Sequence, residues 1–268
     1  MVSKIDWSRI CSREEYELRS GEKLSMRERS LDLILAFDVT GSMAWCISEV
    51  RDDINYIAQG LTALSGGRNI NIAMIGVGDH CDGFDMLQIK PYSSDYSTIR
   101  SNIYAIKNTG GGDTPEAYEC LFNTLNKRDE LTASRPILML FGDSIPHNFK
   151  GYSQLSKDNG CPAGIIWHNA LSNLKKKLHS FYFVSCGDKN GVRHLQKQMV
   201  DRDELIIELE EGQIGEVQDL ANLVIALYIS EVGDKPYLFY VLREQMAEKE
   251  LLDLAYKAKL ISYEQSQR

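Results

Sequence analysis

The sequence predicts an α/β protein with a doubly wound, mostly parallel sheet of six strands flanked by helices. Short apolar runs alternate with segments of helical periodicity along the chain, and several of these runs lack the polar alternation of a half-exposed strand. Continuous apolar runs are typical of parallel strands that helices cover on both faces. The composition, 268 residues with 43% hydrophobic and 25% charged, is that of a globular protein with room for one sizeable core.

The first predicted unit is a strand, a turn and a helix. Residues 31–37 form an apolar run that ends at Asp38 and predicts the first core strand. Apolar residues at helical spacing over residues 47–61 predict a helix that the pair Gly66-Gly67 ends. The next predicted elements are a strand at 71–77, a short strand at 86–89 and a helix at 96–106.

The second half of the chain continues this alternation. Pro115 stands in the first turn of a predicted helix, whose apolar face includes Ala117, Cys120 and Leu121. Residues 136–141 predict a second strand buried on both sides. The remaining predicted elements are helices at 170–178, 192–199 and 217–230, and strands at 181–185 and 205–209. Because strands alternate with helices, we expect a parallel sheet covered on both faces.

The two ends of the chain differ from this core. Residues 1–30 are charged, with anchors such as Trp7 and Tyr16, and predict an N-terminal arm before a domain at 31–232. Residues 233–268 predict an amphipathic helical extension, for which we favour docking on the domain's own surface over a partner or a membrane surface. Its apolar residues are Leu251, Leu254, Ala255, Ala258 and Ile261.

Charge and composition disfavour several function classes. A net charge of -8 without a basic stripe is unsuited to the phosphate backbone of nucleic acid. No apolar run approaches the roughly 20 residues that cross a bilayer, and no signal segment is visible, so we expect a cytoplasmic protein without a membrane partner. Six scattered cysteines without a Cys-x-x-Cys pair indicate reduced thiols.

Three loops at predicted strand ends concentrate oxygen ligands. Asp38, Thr40 and Ser42 follow the first strand at i, i+2 and i+4, so their side chains can converge near the next helix N-terminus. Thr114 follows a glycine run, and Asp143 follows the strand at 136–141. Taken singly, these pieces indicate helix caps, a flexible loop and a turn. Together they predict a site for Mg²⁺ or Mn²⁺ rather than for zinc, which prefers nitrogen or sulfur.

The same loops resemble those of a known family. Residues 37–43 (Phe-Asp-Val-Thr-Gly-Ser-Met), 110–117 (Gly-Gly-Gly-Asp-Thr-Pro-Glu-Ala) and 140–147 (Leu-Phe-Gly-Asp-Ser-Ile-Pro-His) resemble the three signature loops of the von Willebrand factor A domain family. The likeness is greatest to its intracellular branch, which includes bacterial proteins and domains joined to some α-type protein kinases. The resemblance covers about residues 31–232 and implies that family's Rossmann-like fold.

This resemblance implies a metal-ion-dependent adhesion site. Thr40, Ser42 and Thr114 would bind Mg²⁺ directly, and Thr40 keeps the oxygen of the commoner serine. Asp38 and Asp143 would bind directly or through water, and an acidic side chain of a partner protein would complete the coordination shell. Three more residues are expected at the rim of the site or behind its direct ligands, namely Asp79, Asp113 and His147, and the sequence leaves open whether Asp113, beside Thr114, is itself a ligand.

The function that the resemblance implies is metal-dependent protein binding without turnover. We expect an adaptor or regulator in a bacterial stress, signalling or defence system. By analogy with the family, partners would include MoxR-type AAA+ ATPases or kinase and phosphatase modules.

Two weaker patterns remain. Residues 78–82 (Gly-Asp-His-Cys-Asp), with His147, Cys161 and His168, contain zinc-type ligands, but their spacing fits no known zinc finger, and we interpret them as unrelated loop residues.

Residues 141–145 (Phe-Gly-Asp-Ser-Ile) resemble the nucleophile block of GDSL-type hydrolases. The enzyme alternative is therefore a hydrolase that uses Ser144 or the metal, although no Asp-x-x-His pair follows to supply a base.

Overall fold

The chain folds around a mostly parallel sheet with helices on both faces, as the sequence predicts. The computed structural model describes residues 5–10, 12–21, 31–65, 70–149, 160–187, 191–200, 206–209, 218–232, 235–246, 251 and 254–255. None of the helices within these ranges combines the length and the apolar composition that a membrane span requires.

The strands form one sheet in the order β3-β2-β1-β4-β5-β6. Their bounds are β1 Leu33–Asp38, β2 Ile72–Val77, β3 Leu87–Ser93, β4 Ile137–Gly142, β5 Ser180–Cys186 and β6 Ile206–Leu209. Five strands are parallel, and β3 pairs with β2 in the antiparallel direction. The chain leaves β1 toward β2 on one side and later returns to β4 on the other, so loops diverge between β1 and β4, where doubly wound sheets bind ligands.

Helices cover the two faces of the sheet. In β1, Leu33, Leu35 and Phe37 face one side, while Ile34 and Ala36 face the other. The first side packs against α2 Ala44–Leu64, α3 Tyr96–Tyr104, α8 Gln218–Val232 and α9 Lys235–Gln245. The second side packs against α4 Tyr118–Lys127, α5 Asp129–Thr132, α6 Trp167–Lys175 and α7 Arg193–Gln196. Strands β1, β2 and β4 are buried at every residue, which explains their uninterrupted apolar sequences.

The described residues of both terminal segments pack on the first side. A short 3-10 helix at Trp7–Arg9 and the helix α1 Arg13–Ser20 place Trp7 and Tyr16 in the core. The Tyr16 ring lies between those of Tyr237 and Tyr240, at centroid distances of 5.7 and 5.1 Å. Of the apolar residues predicted for the C-terminal helix, Leu251, Leu254 and Ala255 are buried, whereas Ala258 and Ile261 lie outside the described residues.

The segment around Pro115 differs from its prediction as a helix start. Helix α4 begins only at Tyr118, because Glu116 pairs with Pro146 in an isolated parallel bridge and its N–H donates to the Ile145 carbonyl at 2.9 Å. Residues 113–117 therefore form a loop held against the loop after β4. This pairing brings the second and third predicted metal-binding loops together.

Candidate metal-binding cleft

Three loops enclose a cleft of about 210 Å³ at the carboxyl edge of β1 and β4. Its exposed rim is glycine-rich, and its floor is buried. The lining residues are Thr40, Gly41, Ser42, Gly110, Gly111, Gly112, Asp113, Thr114, Glu116 and Asp143. Four of the five predicted ligands thus share this cleft, and the fifth, Asp38, is buried and hydrogen-bonded to Thr40. We call the group Asp38, Thr40, Ser42, Thr114, Glu116 and Asp143 the oxygen cleft.

Three hydrogen bonds hold the Asp38 carboxylate, two at Oδ1 and one at Oδ2. Its Oδ1 accepts from the Thr40 N–H at 2.9 Å and the Thr40 hydroxyl at 2.6 Å, and its Oδ2 accepts from the Tyr118 hydroxyl at 2.6 Å. Burial and the nearby Asp143 charge raise the Asp38 pKa to about 7, although the bonds from Thr40 and Tyr118 lower it. A divalent cation in the cleft would favour the ionised carboxylate.

The Thr40 hydroxyl is not used as a helix cap. Thr40 is extended before a 3-10 turn at Gly41–Met43, and its side chain makes no capping hydrogen bond. Gly111 has a φ of +66°, and a Cβ there would lie 3.3 Å from Thr40 Cβ and Cγ2. A glycine is therefore required for the second loop to approach the first this closely.

Glu116 is a cleft residue that is absent from the predicted ligand set. Its side chain is buried, and its Oε2 has no hydrogen-bond partner among the described residues. Burial, followed by the charges of Asp38 and Asp79, raises its pKa to about 11. Buried carboxylates are costly unless they are paired or bind a cation. The oxygen-only donor set and this unpartnered atom fit a hard divalent ion. Glu116 belongs to the second loop, residues 110–117, but the residue spacing in that loop does not show that the Glu116 side chain points into the cleft.

The three predicted rim residues contact one another beside the cleft. His147 Nε2 lies 3.3 Å from Asp113 Oδ1 and 3.4 Å from Asp79 Oδ1. Burial lowers the His147 pKa, but the charges of Glu119, Asp113 and Asp79 outweigh it and raise the pKa. One ligand atom from each of Asp79, Asp113 and His147 lies within 4.8 Å of the others, so these residues form a group that could hold a metal ion.

The interpretation of the zinc-type residues as unrelated loop residues is wrong for Asp79 and His147, which contact each other, and for His80 and Cys161. The fold brings His80 and Cys161 together with Glu119 and Cys120, with ligand atoms within 4.8 Å of one another. We call these four residues the His/Cys cluster. In contrast, His168 stacks on the neighbouring Trp167 ring and is not a member of the His/Cys cluster. The sequence hides the cluster because its members come from three separate segments, and Cys120 also fits the apolar face of α4.

Ser144, the nucleophile of the hydrolase alternative, joins two loops. Its hydroxyl donates a short hydrogen bond to the Thr114 carbonyl, and its own carbonyl accepts from Gln196 Nε2 at 3.0 Å. A carbonyl oxygen cannot serve as the general base of a nucleophilic serine. In this arrangement Ser144 positions the Thr114 loop over the cleft.

Comparisons with known proteins support the fold and leave the activity open. No family model matches the chain. A protein of Acanthamoeba polyphaga mimivirus named as an ariadne-like RING finger protein, R811, is 29% identical over 118 residues, which are 44% of this chain and 11% of that protein. The pilus adhesin SpaC of Lactobacillus rhamnosus GG, in an open conformation, matches 77% of this chain and 31% of its own, with a TM-score of 0.54 and 12% identity.

Another crystal structure of the same adhesin gives the same TM-score at 13% identity, over 77% of this chain and 32% of the adhesin. The chain thus spans about a tenth of the viral relative and about a third of the adhesin. At these identities the structural likeness shows the α/β fold alone.

Proposed function

We propose that this chain contains a von Willebrand factor A domain of the intracellular type, with an additional helix at the C-terminal end, that binds a partner protein through Mg²⁺ or Mn²⁺. It would act in the cytoplasm as an adaptor or regulator rather than as an enzyme. The observation behind the proposal is the convergence of hydroxyl and carboxylate side chains from three loops in the oxygen cleft. Oxygen-only ligand sets of this kind suit Mg²⁺ and Mn²⁺.

The five predicted ligands in the cleft divide into two roles in this proposal. Thr40, Ser42 and Thr114 would supply neutral hydroxyl ligands to the ion. Asp38 and Asp143 would balance its charge, directly or through water. The bound ion supplies a positive charge in a partly shielded cleft, where an acidic side chain of the partner completes the coordination shell.

The surroundings of the cleft suit a protein partner. The rim at Gly110 and Gly112 is exposed, so a partner side chain can reach the cleft without a conformational change. Phe84, in the 3-10 segment His80–Asp85 after β2, is fully exposed, and the carboxyl end of β2 lies at the same sheet edge. Exposed aromatic side chains are frequent anchors of protein interfaces. By analogy with the family, candidate partners are AAA+ ATPases and kinase or phosphatase modules of bacterial stress or defence systems.

The first experiment measures metal binding directly. In a Mn²⁺ titration followed by electron paramagnetic resonance, we expect the wild type to bind one tight ion that Mg²⁺ displaces. Ser42→Ala should weaken this binding, whereas Ser101→Ala, at an exposed serine on α3, should not. Equal affinity in all three proteins would place the ion elsewhere and contradict the proposed ligand set.

The second experiment tests partner binding. Crosslinked capture from the native host would compare the wild type in Mg²⁺, the wild type in EDTA, and Asp38→Ala in Mg²⁺. We expect a specific partner only in the first condition, because the ion bridges the two proteins. The same partners in all three conditions would mean that another surface mediates binding.

A fluorophosphonate probe checks the hydrolase alternative. Labelling of the wild type that Ser144→Ala abolishes would favour an enzyme.

A further inference from the structure

The His/Cys cluster lies beside the oxygen cleft but has a different donor chemistry. His80 begins the 3-10 segment after β2, Glu119 and Cys120 lie in the first turn of α4, and Cys161 precedes α6. We propose that His80, Glu119, Cys120 and Cys161 bind a structural Zn²⁺ ion, which ties the loop after β2 and the segment before α6 to the start of α4.

The distances between sulfur and oxygen atoms fit ligands of one tetrahedral ion. With Zn–S bonds of 2.3 Å, two thiolates on the same zinc lie about 3.8 Å apart, and a thiolate and a carboxylate oxygen about 3.6 Å apart. The Cys120 and Cys161 sulfurs are 3.9 Å apart, and Cys120 Sγ is 3.7 Å from Glu119 Oε1. A disulfide would require a sulfur separation of about 2.05 Å. The two cysteines are therefore arranged as ligands of one ion rather than as a crosslink.

His80 needs only a small displacement to join this geometry. Its Nε2 lies 2.8 Å from Glu119 Oε1, at hydrogen-bond distance. A nitrogen and an oxygen bound to the same zinc lie about 3.4 Å apart, so the ion would separate them by roughly half an ångström. The His80 imidazole can make this shift, because its side chain is 16% exposed, whereas the Glu119 side chain is fully buried.

The neighbouring His147 orients the Glu119 carboxylate. Its backbone N–H donates to Glu119 Oε2 at 3.1 Å, which leaves Oε1 to face His80 and Cys120. Partners that orient a ligand in this way are a regular feature of protein zinc sites. In addition, His147 Nδ1 is buried, has no hydrogen-bond partner among the described residues, and lies 3.6 Å from Glu119 Oε1. His147 therefore contacts the Glu119 carboxylate through both its backbone and its side chain.

Burial and donor type together favour a structural zinc ion. Cys120 and Cys161 are 6% and 7% exposed and pack together with Ala117 in a small apolar group. Structural zinc sites use four protein ligands and are closed to solvent, and thiolates with an imidazole select zinc over Mg²⁺. The ion would bind the loop after β2, the start of α4 and the segment before α6 at one point. It would therefore strengthen the attachment of the two loop segments to α4.

The test begins with the wild-type protein and uses Co²⁺ as a spectroscopic probe for zinc. After metal removal, we expect about one Co²⁺ per chain to give intense visible bands of a tetrahedral site and a thiolate-to-metal charge-transfer band. Zn²⁺ should displace the Co²⁺ and raise the melting temperature. A weak octahedral spectrum without charge transfer would overturn the proposal, as would a Cys120–Cys161 disulfide found by mass spectrometry in the freshly purified protein.

Variants then locate the ion. Cys120→Ser and Cys161→Ser should each lose the bound zinc and much of the charge-transfer intensity. Cys81→Ser, at an exposed cysteine next to His80 but outside the cluster, should retain both. Because a cysteine variant can misfold, His80→Gln provides a second test, with circular dichroism as the check of folding. Zinc retained in a folded His80→Gln and in both cysteine variants, or lost in Ser42→Ala, would overturn the assignment.

Discussion

The oxygen cleft and the His/Cys cluster lie at one edge of the same sheet but differ in donors and in access. The cleft combines hydroxyls and carboxylates under an exposed glycine rim, whereas the cluster combines sulfur, nitrogen and a carboxylate that are largely buried. A hard cation in an open cleft can exchange a ligand with a partner. A borderline cation enclosed by four side chains instead holds segments together. Under the two proposals, partner recognition and structural support would use separate sites.

The two sites nevertheless share helix α4. The Tyr118 hydroxyl donates to Asp38 in the oxygen cleft, and the next residue, Glu119, belongs to the His/Cys cluster. Asp113, which lines the cleft, contacts His147, which contacts Glu119. Ligand chemistry therefore separates the sites, while the first turn of α4 joins them mechanically.

Gly142→Ala should have the largest effect and should damage both sites. A Cβ at position 142 would collide with the Tyr118 hydroxyl and lie 3.5 Å from Asp38 Cβ. We expect the free energy of unfolding to fall by about 2–3 kcal/mol, because overpacking displaces side chains and backbone. Urea unfolding measures this loss, and Gly110→Ala is the control because a Cβ there meets nothing within 4 Å. Equal unfolding midpoints for the two variants would contradict the expectation.

Thr114→Val and Cys161→Ser should separate the two sites. Valine keeps the shape of threonine but removes one hydroxyl of the oxygen cleft, so Mn²⁺ affinity should fall at least about tenfold. The Co²⁺ spectrum of the His/Cys cluster should not change. Cys161→Ser should show the reverse pattern, with loss of the cobalt spectrum and unchanged Mn²⁺ binding. Both metals measured on both variants provide the check, and parallel losses would show that the sites are not independent.

Mn²⁺ binding to the oxygen cleft should strengthen as the pH rises. Burial and Asp143 raise the Asp38 pKa to about 7, so the carboxyl is largely protonated below that pH and the cation must displace a proton. Between about pH 6 and pH 8 we expect an increase in affinity of up to about tenfold for this proton. Titrations in buffers of different ionisation enthalpy would also detect the proton release. A flat pH profile would show that Asp38 is ionised before the metal binds.

Gly60→Ala should lower stability without affecting either site. A Cβ on α2 at this position would lie 2.5 Å from Ile225 Cδ1 and 2.8 Å from the Trp7 ring, on the face of the sheet opposite α4. We expect a loss of about 1 kcal/mol in the free energy of unfolding. Mn²⁺ affinity and the Co²⁺ spectrum should match the wild type under native conditions. Changed metal binding would mean that packing on the far face controls the sites.

The local sequence determined the strands, the main helices and five residues of the oxygen cleft. Strands such as β1 and β4 are continuous apolar runs, and helix α2 has a clear period, because each signal lies within a few adjacent residues. Asp38, Thr40 and Ser42 follow β1 directly, so the rule that ligands bind beyond strand ends was enough to group them with Asp143.

Only the tertiary structure decided the inward position of Glu116 and the existence of the His/Cys cluster. Glu116 enters the cleft because its backbone pairs with Pro146, a contact between residues 30 positions apart. Glu119 lies about 40 residues from both His80 and Cys161, and the three meet because the loop after β2 and the segment before α6 converge on the start of α4. Periodicity and short motifs report the neighbourhood of a residue along the chain, whereas a ligand set assembled from distant loops depends on how the chain folds in space.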